Sequence, residues 1–215
     1  MKRVLAVDTT AEFGSIAAAE DGRVVEEILL HGPDGFGHVL FAHLGRLLER
    51  LGWRVADIHC FAAAAGPGSF TGVRVGLAAA KGLAAATGRK AAAVSNLKAI
   101  ASLGRAPLRA AIIDARRGEV YAAVFDAALR ERTPETVQRL PDFLRSLPDG
   151  EIEFLASDFT PFAGALPAGA RACQTPRALA AAIALLASDE EGEDPAALDA
   201  NYVRRSDAEL FWRDR

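Results

Sequence analysis

The segment from Gly66 to Ala84, GPGSFTGVRVGLAAAKGLA, constrains this chain more than any other. A glycine-rich turn with hydroxyls opens directly into a helix. Gly72, Gly76, Ala80 and Ala84 recur at i, i+4, so they share one side of that helix and leave no side-chain bulk along it. Such a stripe lets another backbone come unusually close. The first expectation is therefore contact more than chemistry. Helix 72–87 also carries Val73, Leu77 and Leu83, while helix 36–51 carries Phe36, Val39 and Phe41 beside Leu40, Leu44, Leu47, Leu48 and Leu51. Both have more apolar surface than one sheet covers, and surplus apolar surface marks a partner site. The expected interface is Phe36, Val39, Leu40, Phe41, Gly72, Val73, Gly76, Leu77, Ala80 and Leu83. A bulky residue at Gly76 should then block docking and leave the monomer folded. The alternative, that both helices are buried within the chain, stays open.

Hydrophobic residues make up 51% of the 215 residues and aromatics only 7%, so Ala, Val and Leu must fill the interior, which suits close-packed helices and parallel strands. A net charge of −3 provides no general positive field for a polyanion, which argues against nucleic-acid binding by this chain alone. Cys60 and Cys173 stand far apart with no signal-peptide pattern, as expected of reduced thiols in a cytoplasmic protein. The Ala/Leu runs are broken before they reach the roughly 20 apolar residues of a membrane span.

The chain opens as a strand over Val4–Val7 ending at Asp8, a strand over Ser15–Ala19, a hairpin signal at Asp21-Gly22 and a third strand over Arg23–Leu30. Helix 36–51, an apolar strand over Asp57–Ala65, helix 72–87, a strand over Lys90–Val94 and a helix over Ser95–Leu103 follow. At Pro107 the layout restarts. AVDTTAEFGSIAAAEDG and IIDARRGEVYAAVFDAA both place an aspartate, Asp8 or Asp114, at a strand end seven residues before a small-residue strand. The expected division is a first lobe of residues 1–104, to which 201–215 returns, and a second lobe of 105–200. Within the second lobe, Leu140–Leu147 and Thr175–Ser188 are predicted helices, and Glu151–Ala156 and Ala170–Cys173 predicted strands. The charged stretch 189–195 reads as a solvated loop.

In the glycine turn, Ser69 or Thr71 can cap the following helix, whose first amides would also accept a phosphate. Both readings stay open. The spacing is not that of a Walker A loop, and Pro67-Gly68-Ser69-Phe70-Thr71 is not the GxSxG elbow of a nucleophilic serine. His38 and His43 are five apart, the wrong spacing for a helical metal pair, so neither a catalytic group nor a metal is expected.

GPGSFTGVRVG, together with RVLAVDTT (3–10), SNLKAIA (95–101), IDARRGEVYAAVF (113–125) and NYVRRSDAEL near the C-terminus, resembles the bacterial TsaB (YeaZ) proteins over most of the chain. The resemblance implies an α/β, duplicated two-lobed fold of the actin/Hsp70 (ASKHA) type. In that fold Asp8 and Asp114 occupy strand ends at which active members hold ATP phosphates and magnesium. Asp8, Thr9, Ser69, Thr71 and Asp114 would then be a vestigial phosphate site, with ATP or ADP bound weakly or only with a partner. As turn formers, the aspartates need no nucleotide. The resemblance further implies a non-catalytic scaffold and activator that pairs with a TsaD-like catalytic subunit, is joined by a TsaE-like ATPase, reaches tRNA through the complex, and supports threonylcarbamoylation of adenosine 37. Alone, the same stripe could form a homodimer. The rival readings are an ATP-dependent phosphotransferase and a glycoprotease-like metallopeptidase of the same superfamily.

Overall fold

The structure, a computed structural model, describes residues 1–203. The described residues form two compact units, one of Met1–Ala99 with Pro176–Ala200, the other of Ile100–Thr175 with the segment from Asn201.

In the first unit, β1 (Arg3–Asp8), β2 (Phe13–Glu20), β3 (Arg23–His31), β4 (Cys60–Gly66) and β5 (Lys90–Ser95) form a sheet in the order β3-β2-β1-β4-β5. The β2–β3 hairpin turns on Asp21 and Gly22, both with positive φ, as their side chains anticipate. β1 and β4 lie in the middle and read VLAV and FAAAA, because a strand covered on both faces has no solvent side on which to place polar residues. Helices α1 (Leu40–Leu51) and α2 (Phe70–Thr87) cover one face, where Leu5, Val7, Ile16 and Phe61 meet Leu40, Leu44, Leu47, Val73, Leu77 and Ala80 in one core. Phe36–His38 is a separate 3-10 turn, so the first helix begins later than its leucine pattern suggests. A short helix α3 (Asn96–Ser102) follows β5.

Helix α5 (Ala180–Ser188) packs on β1, β2 and β4. This corrects the expected division, which placed it in the second lobe. Its first amides find acceptors on three strands of the first sheet: Leu179 N donates to Asp8 Oδ2 (3.0 Å), Ala180 N to Ser15 Oγ (3.0 Å) and Ala181 N to Glu27 Oε1 (3.1 Å). At its other end Lys2 Nζ donates to Ser188 O (2.7 Å) and to Glu190 O. Carboxylates at the N-terminus and an ammonium at the C-terminus complement the helix dipole. The charged stretch beyond α5 is also structural: Ala91 and Glu193 exchange two backbone hydrogen bonds (3.0 and 2.7 Å), which cover the edge of β5.

In the second unit, β6 (Leu108–Asp114), β7 (Glu119–Asp126), β8 (Glu131–Arg139), β9 (Ile152–Ala156) and β10 (Arg171–Gln174) form a sheet in the order β10-β9-β6-β7-β8, with α4 (Leu140–Arg145) before β9. Strand β6 pairs antiparallel with β7 and parallel with β9, as β1 does with β2 and β4. The two sheets are the same five-strand unit used twice, and Asp8 and Asp114 fall at the same place in each. Strand β8 has no apolar alternation and contains Pro134, which suits an edge. Asn201 Nδ2 donates to Glu135 Oε2 (2.6 Å), so residues 201–203 group with the second unit, contrary to the expected return to the first. The remainder of that predicted returning segment, 204–215, lies outside the described residues.

Candidate functional site

The loop after β1 and the glycine turn before α2 meet in the first unit and are tied by buried polar groups. Ser69 N donates to Thr10 O (2.7 Å), Thr9 Oγ1 to Gly72 O (2.7 Å), and Asn96 Nδ2 to Thr10 Oγ1 (2.6 Å), while Asn96 Oδ1 accepts from Gly66 N (2.9 Å). Sequence reasoning missed Asn96, whose only signal is that it follows the N-capping Ser95. Its side chain is buried, and every hydrogen bond it makes closes this junction.

Asp8 is 1% exposed. One carboxylate oxygen accepts from Thr10 N (3.0 Å) and Thr10 Oγ1 (2.6 Å), the other from Leu179 N. Burial raises its pKa; the hydrogen bonds from Thr10 and Leu179 oppose that rise, and nearby Glu27 adds to it. The carboxylate is already engaged by its own chain. Asp114, in the second unit, accepts from Arg116 N (2.8 Å) and lies 3.5 Å from Arg116 Nη1. Both aspartates therefore act as turn formers, one of them also capping a helix.

Ser69 caps α2 by accepting from Gly72 N (3.3 Å). Thr9, Ser69 and Thr71 share a cleft of about 570 Å³ with Glu12, His31, His38 and Phe36. Asp8 does not line it. His31 stacks on Phe13 with ring centroids 5.2 Å apart. Among the described residues no three His, Cys, Asp or Glu side chains converge as a metal site requires.

The small-residue stripe faces inward. A Cβ on Gly72 would lie 1.9 Å from Thr9 O, and one on Gly76 would lie 2.8 Å from Thr9 Oγ1, with Val7 and Ala63 behind it. Ala80 and Ala84 are 1% and 0% exposed. The close approach that the stripe permits is to β1, β4 and the loop after β1. Phe36, Leu40, Val73 and Leu77 are buried in the same core, and Val39 and Leu83 are half-buried. Of the ten predicted interface residues, only Phe41, at 56%, is fully exposed. The correction has a simple cause, since a stripe of glycine and alanine reports that a backbone comes close and not whose backbone it is.

The opposite side of α2 remains available. Thr71, Arg74, Ala78, Gly82, Ala85 and Ala86 are exposed, and Arg74 lies over the ring of Phe70 at 3.6 Å. Among the described residues nothing lies within 4 Å of a Cβ built on Gly82 or on Gly45, which is exposed on α1 one turn from Phe41. Glycine inside a helix destabilises it by about 1 kcal/mol relative to alanine. At Gly45 and Gly82 no neighbour among the described residues requires it.

Known proteins agree with this architecture. The TsaD family profile, described as tRNA N6-adenosine threonylcarbamoyltransferase, matches residues 38–175. The Bacillus subtilis tRNA threonylcarbamoyladenosine biosynthesis protein TsaB is 29% identical over 224 residues, which cover 97% of each chain. YeaZ from Pseudomonas aeruginosa superposes with a TM-score of 0.74 at 27% identity, covering 94% of this chain and 100% of that one. Component A of the (R)-2-hydroxyglutaryl-CoA dehydratase of Acidaminococcus fermentans shares the fold with a TM-score of 0.56 at 11% identity, covering 89% of this chain and 99% of the other. The duplicated sheets are those of the actin/Hsp70-like fold. With the profile spanning well over half its length and the relatives matching end to end, the chain belongs to the TsaD family, among its TsaB (YeaZ) members.

Proposed function

We propose that this chain is the non-catalytic scaffold and activator subunit in the threonylcarbamoylation of adenosine 37 of tRNA, docking on a TsaD-like catalytic subunit through the outward face of α1 and α2. The observation that carries the docking surface is the pair of open helix glycines, Gly45 one turn from exposed Phe41 on α1 and Gly82 on α2. Gly45 on α1, and Ala78, Gly82 and Ala86 on α2, let a partner helix approach two backbones that already lie on one face of the same sheet, and Phe41 supplies an apolar anchor. The pathway rests on the TsaB relatives.

The non-catalytic reading is supported by Asp8, whose carboxylate is held by Thr10 and the first turn of α5, and by histidines whose spacing does not match a helical metal pair. A TsaE-like ATPase joins the assembly, and ATP or ADP is bound weakly or only in the presence of a partner. Without a partner, the same face pairs with its own copy.

The test is reconstitution of tRNA modification from purified proteins with and without this chain, alongside sedimentation of the chain with the catalytic subunit. Activity should require the chain, and Gly82→Arg should abolish both assembly and activity while leaving the isolated chain folded. Full activity without the chain would remove the activator role. Tight binding of ATP and magnesium by the isolated chain in calorimetry would replace it with the phosphotransferase reading.

A further inference from the structure

The cleft beside the loop after β1 has no part in the docking role. Its volume, about 570 Å³, falls in the range of sites for small organic molecules, roughly 300 to 1,000 Å³. All of its lining residues belong to the first unit, so one compact body forms it.

One part of the lining is a flat ring. Phe13 and His31 lie directly opposite each other on β2 and β3, and their rings stack with centroids 5.2 Å apart and planes at 22°. Arg177, just before α5, lies over the same phenyl ring, 5.3 Å from its centroid. Phe13 does not line the cleft and His31 does, so the imidazole stands between its stacking partner and the open space. A ring already held by one stack offers a platform for a second with little further loss of freedom. Phe36, at 7% exposure, and half-buried Val75 add apolar lining.

Glycines leave the wall over residues 32–37 bare. Two of them have structural causes, since a Cβ on Gly32 would lie 3.0 Å from Gly35 O and Gly35 has a φ of 98°. Gly37 has neither, and a Cβ built on it meets nothing within 4 Å among the described residues. Bare backbone at such a position suits the close approach of a ligand. The charged lining is acidic. Glu12 and Asp34 are exposed, and neither makes a hydrogen bond or ion pair with the described residues. Ionised carboxylates accept hydrogen bonds and donate none, so they select hydroxyl and amino donors and repel a phosphate.

We propose that this cleft binds a nucleoside without phosphates, its base stacked on His31 and its ribose hydroxyls or exocyclic amine donating to Glu12 and Asp34. Each phosphate added to such a ligand brings like charge toward the two carboxylates, so ATP and ADP are the poorer ligands. None of the docking residues on α1 and α2 named above lines the cleft, and the proposal stands apart from the docking reading.

Equilibrium dialysis of the full chain against radiolabelled adenosine, with AMP and magnesium-ATP as competitors, tests the site. Binding should saturate at one adenosine per chain, and AMP and ATP should compete at least about tenfold less well than unlabelled adenosine. E12Q/D34N should weaken adenosine about tenfold and close the gap between adenosine and AMP, because neutral amides accept more weakly and do not repel phosphate. His31→Ala should weaken adenosine about tenfold, and His31→Phe, which keeps a ring against Phe13, should restore it. All three side chains are exposed, so the variants should melt with the wild type. Absence of saturable adenosine binding up to its solubility limit would overturn the proposal. So would ATP outcompeting adenosine, or affinity unchanged in either His31→Ala or E12Q/D34N.

Discussion

Alanine placed at two glycines of α2 should have opposite effects. At Gly72 the new methyl would sit 1.9 Å from Thr9 O, 2.9 Å from Thr9 C and 3.2 Å from Thr10 Cα, all backbone atoms that cannot rotate away. Relief requires α2 to lift from the loop after β1, an overpacking cost of about 3 kcal/mol. The hydrogen bond from Thr9 Oγ1 to Gly72 O, worth about 1 kcal/mol, is lost with it. The gain in helix propensity returns about 1 kcal/mol, for a net destabilisation of about 3 kcal/mol. At Gly82 nothing among the described residues lies within 4 Å, so only the propensity term remains and the chain should gain about 1 kcal/mol. The two variants should differ by about 4 kcal/mol, or about 12 °C in Tm for a chain of this size. Trp53 is buried in the first unit, and its fluorescence in a Trp212→Phe background reports that unit's unfolding. Equal melting temperatures, or a less stable Gly82→Ala, would mean that α2 is turned the other way and the sequence-based interface was right. By the same geometry Gly76→Leu should unfold the first unit and not simply block docking, which reverses the expectation drawn from the stripe.

Phe41→Ala should weaken association with the catalytic subunit by more than 2 kcal/mol, roughly thirtyfold, with no loss of monomer stability because the ring is 56% exposed; titration calorimetry and a melt decide it together. Asn96→Ala leaves the buried Gly66 N without its acceptor and removes the bond donated to Thr10 Oγ1, which still donates to Asp8, and should destabilise by about 2 kcal/mol in urea unfolding, whereas a value near zero would show that the junction closes without it. Burial pushes the Glu153 carboxyl up, but the amides of Arg105 and Ala106 and the Arg171 guanidinium outweigh it and hold the pKa below 4.5. A depressed carboxylate contributes stability above its unfolded pKa and loses it as pH falls through the folded one, so Glu153→Gln should flatten the loss of stability below about pH 4.5. Asp8 has the opposite sign: its raised pKa makes its contribution most favourable below 3.8 and erodes it as pH rises through the folded value. An Asp8→Ser variant should therefore lose that part of the pH dependence, and an unchanged profile would count against the burial assigned to it.

Much of the fold was legible because its signals are local. The Asp21-Gly22 turn, the leucine spacing of α1 and the bare alanine run of β4 each follow from what one strand or helix needs. The duplication was visible at Asp8 and Asp114 because the same strand-and-turn unit was used twice. Strand β8 was not, since Glu131–Arg139 is an edge strand whose stability comes from pairing with β7 and not from any alternation of its own. The placement of α5 failed for a related reason. A helix as uniformly apolar as AAAIALLAS fits any covered sheet, and its assignment is made by Asp8, Ser15 and Glu27, more than 150 residues away in sequence.

The sequence by itself determined that α2 must lie against something at backbone distance, because glycine and alanine at i, i+4 remove every atom that would hold two surfaces apart. Only the tertiary structure decided what that something is. It is the loop after β1, brought under the helix by the pairing of β1 with β4, and this turns Phe41, Gly45 and Gly82 to the outside. Spacing along a helix defines its faces, but which face is inside depends on the direction from which the rest of the chain arrives, and contacts between residues distant in sequence set that direction.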